Sequence, residues 1–171
     1  MNFATTFSRL EDCKRVRVIP SAVERPIHTR PLSILAAEDD PCDALLLEQA
    51  LFCAGLRVPT HFVEDGQEAI GYLRADPPFS NRITYPLPTL LLLKLDLPRV
   101  NGFEVLRWLR SQPGLSRTLI VVFSPSSKPD DIRHAYALGA DSYLLKPSDT
   151  GEFISVAAHL KNYWLEMSAE L

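Results

Sequence analysis

The sequence lacks several features that would place it in a specialised class. No apolar run approaches the roughly 18 residues that a membrane span needs, and the amino terminus lacks the charged-then-apolar layout of a secretory signal. The net charge of −3 leaves no basic stripe for nucleic acid. Three cysteines among 171 residues cannot all pair with one another, which favours free, partly buried thiols in a reducing compartment. We therefore expect a cytoplasmic protein that binds neither membranes nor nucleic acid.

The residue patterns of common enzyme sites are missing as well. The four histidines lie in separate predicted elements without metal-ligand spacing. No order of Ser, His and Asp indicates a hydrolase triad, and no glycine-rich phosphate loop follows the first predicted strand. We expect no enzymatic activity from this chain.

The most apolar stretch is four consecutive leucines, 90–93, followed directly by Lys94. An unbroken run of this length between prolines is typical of a strand buried on both faces, the central strand of a parallel sheet. Function in such sheets lies at the carboxyl ends of the strands. Lys94 is therefore expected at the functional edge, where acidic residues must balance its charge.

Strands and helices alternate from residue 33 onward. Short apolar runs predict strands at 33–37, 60–63, 90–93, 119–123 and 143–145. Helical spacing predicts helices from the acidic turn 38–41 to about 54, at 67–74, after Asn101-Gly102, at 130–138 and from 152 to about 167. The alternation implies an α/β fold with a doubly wound, flavodoxin-like sheet of five parallel strands and helices on both faces.

The amino-terminal segment differs from the rest of the chain. Residues 1–31 are rich in arginine and carry prolines at positions 20, 26 and 31, which indicates an arm that is flexible or docks on a partner. Residues 32–171 then form a single domain with an extended last helix, long enough to bury a proper core.

Polar residues follow four of the five predicted strands. Glu38 and Asp39 end the first, Lys94 the third, Ser124 the fourth, and Lys146-Pro147 the fifth. This constellation resembles the receiver domain of two-component response regulators over residues 31–165. The resemblance is carried by the acidic turn 38–41, by LDLPRVNG at 95–102, by Ser124 and by GADSYLLKP at 139–147. Within that family, the chain looks more specifically like the small stand-alone regulators associated with phytochrome-type sensor kinases.

The resemblance implies a phosphotransfer site and a role for each residue. In that family, an aspartate at the end of strand three accepts a phosphoryl group while Mg²⁺ offsets the developing charge. Asp39 is then the main metal ligand, and Glu38 supports it. Ser124 is the switch hydroxyl, Tyr143 the rotating aromatic residue, and Lys146 binds phosphate. The Lys146–Pro147 peptide bond is expected to be cis, as in the family.

Two departures from the family pattern fall in that site. Lys94 occupies the position of the phosphoacceptor, and its positive charge opposes Mg²⁺ binding beside Asp39. Pro125 follows Ser124 and has no N–H, so a backbone donor to the phosphoryl group is lost. Asp96, two residues beyond Lys94, is a poor substitute acceptor because the family's residue there points away from the line of attack.

A hypothesis for Lys94 follows from its expected neighbours. Its ammonium lies among Glu38, Asp39 and Asp96 and takes the place of a metal, because unpaired buried carboxylates are costly. We therefore expect no cofactor, with Mg²⁺ disfavoured. The lysine either only neutralises the site or holds the domain in one state, active-like or inactive-like.

Three function classes remain open. The first is an atypical stand-alone regulator, a pseudo-receiver that is not phosphorylated at the usual position and acts by binding a sensor histidine kinase or another signalling protein. The second is a working phosphoacceptor that uses Asp96, and the third is a small-ligand binder at the altered pocket. We expect no output domain beyond residue 171, and binding is therefore the expected mode of action. A homodimer through the fourth and last helices is compatible with the apolar residues there, among them Ile132, Ala135 and Tyr136.

Overall fold

The computed structural model describes residues 31–169, although not the side chains of Thr150 and residues 165–169. Its strands are β1 (Ile34–Ala37), β2 (Thr60–Val63), β3 (Leu90–Leu93), β4 (Leu119–Ser124) and β5 (Ser142–Leu145). Its helices are α1 (Pro41–Cys53), α2 (Gly66–Arg74), α3 (Gly102–Arg110), α4 (Pro129–Ala137) and α5 (Thr150–Ala169). The predicted amino-terminal arm lies outside the described residues, apart from its last residue.

The five strands form one parallel sheet in the order β2-β1-β3-β4-β5. This order places β3 at the centre, as the four leucines predict, and confirms the doubly wound α/β fold. The register pairs Ile34 with Leu90 and Leu90 with Leu119, so the first residues of β1, β3 and β4 lie side by side. Because all strands run in one direction, their carboxyl ends share one edge of the sheet.

The leucine run of β3 supplies the core on both faces of the sheet. Leu91 and Leu93 pack into a cluster with residues of α2 and α3, such as Tyr72 and Leu106. Leu90 and Leu92 pack into a second cluster with residues of α1 and α5, such as Leu47. Successive side chains of a strand point to opposite faces, so an unbroken apolar run is what a doubly covered strand requires.

Local signals in the sequence set the ends of the helices. The Asp40 side chain accepts hydrogen bonds from the N–H groups of Cys42 and Asp43, and Pro41 occupies the first turn of α1. Asn101 and Glu104 form a reciprocal capping box at the start of α3. Gly55 and Gly139 follow α1 and α4 with φ angles of 78° and 98°, a backbone conformation that favours glycine.

Three sequence expectations are wrong in detail. Cys42 and Cys53 are free but exposed, because they lie on the side of α1 that faces away from the sheet. Ala135 lies on the side of α4 that packs into the core and is fully buried, so it cannot contribute to a dimer surface. The Lys146–Pro147 peptide bond is trans, the isomer of lower energy for an X–Pro bond, and the cis bond within residues 31–169 is Pro77–Pro78. A short 3₁₀ helix, Pro113–Leu115, was not expected.

None of the helices within residues 31–169 is both long and apolar enough to cross a bilayer.

The turn between β3 and α3 requires a glycine. A Cβ atom on Gly102 would overlap the carbonyl oxygen of Lys94 and lie 2.8 Å from the Cα atom of Leu95. Both are backbone atoms, which cannot move without displacing the segment that carries Lys94. We predict that Gly102→Ala lowers the free energy of unfolding by about 3 kcal/mol, as measured by urea denaturation.

Gly114 provides the matched control for that substitution. No atom lies within 4 Å of where its Cβ would be, and its φ angle is not positive. Gly114→Ala should change stability by less than about 1 kcal/mol, in the stabilising direction. Equal losses for the two variants would contradict the close approach at Gly102.

Candidate functional site

The candidate site lies where four of the five strands end. Glu38 follows β1, Lys94 follows β3, Ser124 closes β4, and Lys146 follows β5. The strands β1, β3, β4 and β5 are parallel and lie next to one another in this order. These residues therefore converge on one edge of the sheet. The structure therefore brings together most of the residues that the sequence indicates.

Glu38 is the centre of this site. It is only 5% exposed, and both of its carboxylate oxygens accept hydrogen bonds. Oε1 accepts from the Lys94 ammonium at 2.9 Å and from the backbone N–H of Asp40 at 3.0 Å. Oε2 accepts from the Lys146 ammonium at 2.5 Å. One buried carboxylate thus binds two lysines that come from different strands.

The Lys94 ammonium lies between the two acids that end β1. In addition to Glu38, it donates to Oδ1 of Asp39 at 2.6 Å. Desolvation lowers the pKa of Lys94, but its hydrogen bonds to Asp39 and Glu38 outweigh that effect and raise the pKa above the usual value for lysine. Lys94 is therefore charged at neutral pH and is held by both carboxylates.

Lys146 has a second partner that the sequence did not indicate. Its ammonium lies 2.6 Å from Oδ2 of Asp43, in the first turn of α1. The only sequence signal for Asp43 was its position three residues after the helix-capping Asp40. The site therefore joins two ammonium groups to three carboxylates, those of Glu38, Asp39 and Asp43.

Asp96 lies apart from this network. Its side chain is exposed, whereas Leu95 and Leu97 on either side are buried. No hydrogen bond or ion pair joins Asp96 to the rest of the described chain. The expectation that it helps to surround the Lys94 ammonium is wrong, because its side chain points out of the site.

Ser124, the last residue of β4, and Tyr143 of β5 both form hydrogen bonds with Ser126, in the loop that follows β4. The Tyr143 hydroxyl donates to the carbonyl oxygen of Ser126 at 2.8 Å, and the Ser126 N–H donates to the Ser124 hydroxyl at 3.3 Å. The Ser126 hydroxyl in turn donates to Asp131 of α4 at 2.5 Å. Burial raises the pKa of Tyr143, whose ring is 7% exposed. The aromatic ring therefore points inward and is tied to the loop.

Ser126 was not among the site residues that the sequence indicated. Its backbone carbonyl, N–H and hydroxyl each make one of these contacts. Pro125, the residue before it, is exposed and supplies no N–H to the site. Pro147 is half-buried beside Lys146.

The acidic residues present do not fit a divalent cation. Mg²⁺ needs several oxygen ligands in near-ideal octahedral geometry, but three carboxylate oxygens of Glu38 and Asp39 already accept from ammonium groups. Within residues 31–169, no three side chains of His, Cys, Asp or Glu are grouped so that they could hold a metal ion. In this arrangement the carboxylates bind lysine ammonium groups.

Comparison with known proteins defines the class. The family described as the response regulator receiver domain matches residues 34–158. The chain is also 33% identical to the probable methanogenesis regulatory protein FilR2 of Methanothrix harundinacea, over 79% of this chain and 84% of that protein. This chain therefore belongs to the response regulator receiver family and to two-component signalling.

Two further relatives are named as response regulators. The chain is 30% identical to the response regulator Rcp1 of Synechocystis, over 80% of this chain and 90% of that protein. The Mn²⁺-bound form of Rcp1 has a similar fold, with a TM-score of 0.72 over 80% of this chain and 96% of that one. The phosphorylated cyanobacterial phytochrome response regulator RcpA is 33% identical, with a TM-score of 0.73 over 80% of this chain and 95% of that one.

The ion pairs of Glu38 generate a prediction about stability. Removing its charge leaves two ammonium groups without a shared, buried partner, and breaking a buried pair in this way costs about 3 kcal/mol or more. We predict a loss of that size for Glu38→Gln, as measured by chemical denaturation at neutral pH.

Asp130→Asn is the control, since it removes the same charge from an exposed ion pair with Arg133. Its expected loss is below about 1 kcal/mol. If Glu38→Gln cost no more than this control, Glu38 would not be the centre of the network.

Proposed function

We propose that this chain is a stand-alone pseudo-receiver, a response regulator that is not phosphorylated at the usual position and acts by binding other proteins. The observation that carries the proposal is the Lys94 ammonium, which donates to Glu38 at 2.9 Å and to Asp39 at 2.6 Å. In this proposal, Lys94 occupies the phosphoacceptor position and its charge replaces that of the metal.

The chemistry of lysine argues against phosphoryl acceptance at that position. A protonated amine has no free lone pair with which to attack phosphorus, and the raised pKa of Lys94 keeps it protonated at neutral pH. The two acids that would bind Mg²⁺ in other family members are also neutralised by the same ammonium. One residue thus removes both the nucleophile and the need for a cation.

The loop after β4 supports the same proposal independently. Pro125 cannot donate a backbone hydrogen bond to a phosphoryl oxygen. A hydrogen bond to a charged oxygen contributes about 1.5–3 kcal/mol, so its loss would weaken a phosphorylated state. Tyr143 is buried and donates to the carbonyl oxygen of Ser126. We therefore propose that the domain presents one fixed surface to its partner.

The partner in this proposal is a sensor histidine kinase or another signalling protein of a two-component pathway, in the cytoplasm. The relatives named for phytochrome signalling, such as RcpA, make a phytochrome-type kinase the first candidate. The chain would act as an adaptor, a decoy or a constant signal, and would have no enzymatic activity. A homodimer through α4 and α5 would use Ile132 and Tyr136, which are half-buried, and not Ala135.

The alternatives have less support from the structure. The space between Glu38, Leu92 and Lys94 has a cavity volume of about 0 Å³, whereas small-ligand pockets usually measure about 300–1,000 Å³. Asp96 as a substitute acceptor forms no ion pair with any described residue that would offset the charge of a phosphoryl group. We therefore favour the pseudo-receiver over both.

Intact-mass measurement after incubation with acetyl phosphate and Mg²⁺ tests this function. We predict that the natural chain gains no phosphoryl group. Lys94→Asp should accept poorly, because Pro125 persists. Lys94→Asp combined with Pro125→Ala should raise the phosphorylated fraction at equilibrium about ten-fold or more over Lys94→Asp alone, since one hydrogen bond to a charged oxygen is restored.

Asp96→Asn is the companion variant in that experiment. Because Asp96 is exposed and lies outside the network, its replacement should leave the phosphorylated fraction unchanged. A phosphoryl group on the natural chain that Asp96→Asn abolishes would overturn the proposal in favour of a working acceptor.

A further inference from the structure

The longest connection between consecutive elements of the described chain joins α2 to β3, at residues 75–89. We call it the α2–β3 loop. The Arg82 guanidinium in this loop donates to the carbonyl oxygens of Tyr72 at 2.9 Å and Leu73 at 2.8 Å, both in the last turn of α2. The Tyr72 hydroxyl in turn donates to the carbonyl oxygen of Pro86 at 3.0 Å. The loop and the helix are therefore joined by hydrogen bonds that run in both directions.

Four aromatic rings fill the contact between the α2–β3 loop, α2 and β2. We call them the ring cluster: His61 of β2, Tyr72 of α2, and Phe79 and Tyr85 of the loop. The Phe79 ring centre lies 5.2 Å from that of Tyr72 and 5.3 Å from that of Tyr85. The His61 ring centre lies 5.6 Å from that of Tyr72 and 5.4 Å from that of Tyr85. Of these side chains, the imidazole is the one that can gain a proton near neutral pH.

His61 has nothing beside it that would stabilise its protonated form. It is half-buried on β2, a strand at the edge of the sheet. Within residues 31–169, no hydrogen bond or ion pair joins its imidazole to another side chain or to the backbone. Burial of the ring lowers the pKa of His61, because the charged form would lose contact with water. The imidazole is therefore neutral at neutral pH.

The charged groups around the ring cluster do not offset a positive charge on His61. The neighbouring strands β1 and β2 contain no other charged residue, and the charged residues of the two remaining elements are Glu68 and Arg74 in α2 and Asp76 and Arg82 in the loop. Glu68 lies 3.7 Å from Arg99, and Asp76 lies 3.4 Å from Arg74. Burial raises the pKa of Tyr72 to about 12, so its hydroxyl stays neutral. The Arg82 guanidinium lies 5.9 Å from the centre of the Tyr72 ring, so a proton on His61 places a second positive charge beside that ring.

We propose that His61 makes the α2–β3 loop sensitive to acid: protonation of the imidazole loosens the loop from α2 and β2. A solvated imidazole has a pKa of about 6.5, so the open form of the loop takes up the proton before the closed form does. The closed form is therefore most stable above that pH and loses stability as the pH falls below it. Acid then changes the surface that β2, α2 and the loop form together, whether or not the chain is phosphorylated.

Hydrogen exchange of the full-length chain tests the proposal. The Phe79 N–H donates to the carbonyl oxygen of Asp76 and the Tyr85 N–H donates to that of Asn81, both at 2.7 Å. We expect the protection factors of these two amides to fall about three- to ten-fold between about pH 7.5 and about pH 5.5, after correction for the intrinsic exchange rate. Amides of α3 should keep their protection, since they report on unfolding of the whole domain.

Two histidine variants separate this effect from a general effect of acid. His61→Phe keeps an aromatic ring in the cluster but cannot gain a proton, so its loop amides should show no fall in protection. His159→Gln is the matched control, because His159 is exposed on α5 and contacts the carbonyl oxygen of Ser155, outside the ring cluster. It should behave as the natural chain does.

An NMR titration of the His61 ring protons in the natural chain provides a measurement that needs no variant. We expect a midpoint below the ordinary value of about 6.5, because the closed loop disfavours the proton. A midpoint at or above that value would overturn the proposal. It would equally be overturned by loop protection that stays constant with pH, or by a fall in protection that persists in His61→Phe.

Discussion

The site depends on the Glu38 carboxylate and the two lysines that it binds. Glu38 is buried at the end of β1, Lys94 comes from the end of β3, and Lys146 comes from the end of β5. Two ammonium groups at one edge of a sheet would repel each other without it, and a buried carboxylate without them would be costly. The three charges therefore fix the relative positions of three strand ends, and Asp39 and Asp43 complete the balance from the side of α1.

In our proposal, this arrangement lets a receiver fold persist without receiver chemistry. A buried acid is costly without a positive charge beside it, and here the Lys94 ammonium supplies that charge from within the chain. The same ammonium occupies the place from which, in our proposal, an aspartate would attack. The inward Tyr143 and its bond to Ser126 extend the effect to α4, because Ser126 also bonds Asp131. A partner would then meet one surface, independent of phosphate.

Much of this could be predicted from the sequence because the signals were local. The leucine run placed β3 at the centre, and the capping residues set helix ends to within one or two residues. The pairing of Lys146 with Asp43 was missed, since it joins side chains about one hundred residues apart and depends on how α1 packs. The exposure of Cys42 and Cys53 was missed because α1 is apolar on both sides, and such a helix does not reveal which side faces the core. The outward direction of Asp96 likewise depends on the turn after β3.

The replacement of a metal by Lys94 is the central claim, and a Mg²⁺ titration followed by NMR tests it most directly. Backbone signals of Glu38, Asp39 and Lys94 report on binding at the site, and Lys94→Asp serves as the comparison. The account predicts no saturable shift in the natural chain through the low millimolar range, and a saturable shift in the variant, where the ammonium no longer competes with a cation. Saturable binding of Mg²⁺ by the natural chain at low millimolar concentration, with shifts centred on Glu38 and Asp39, would contradict it.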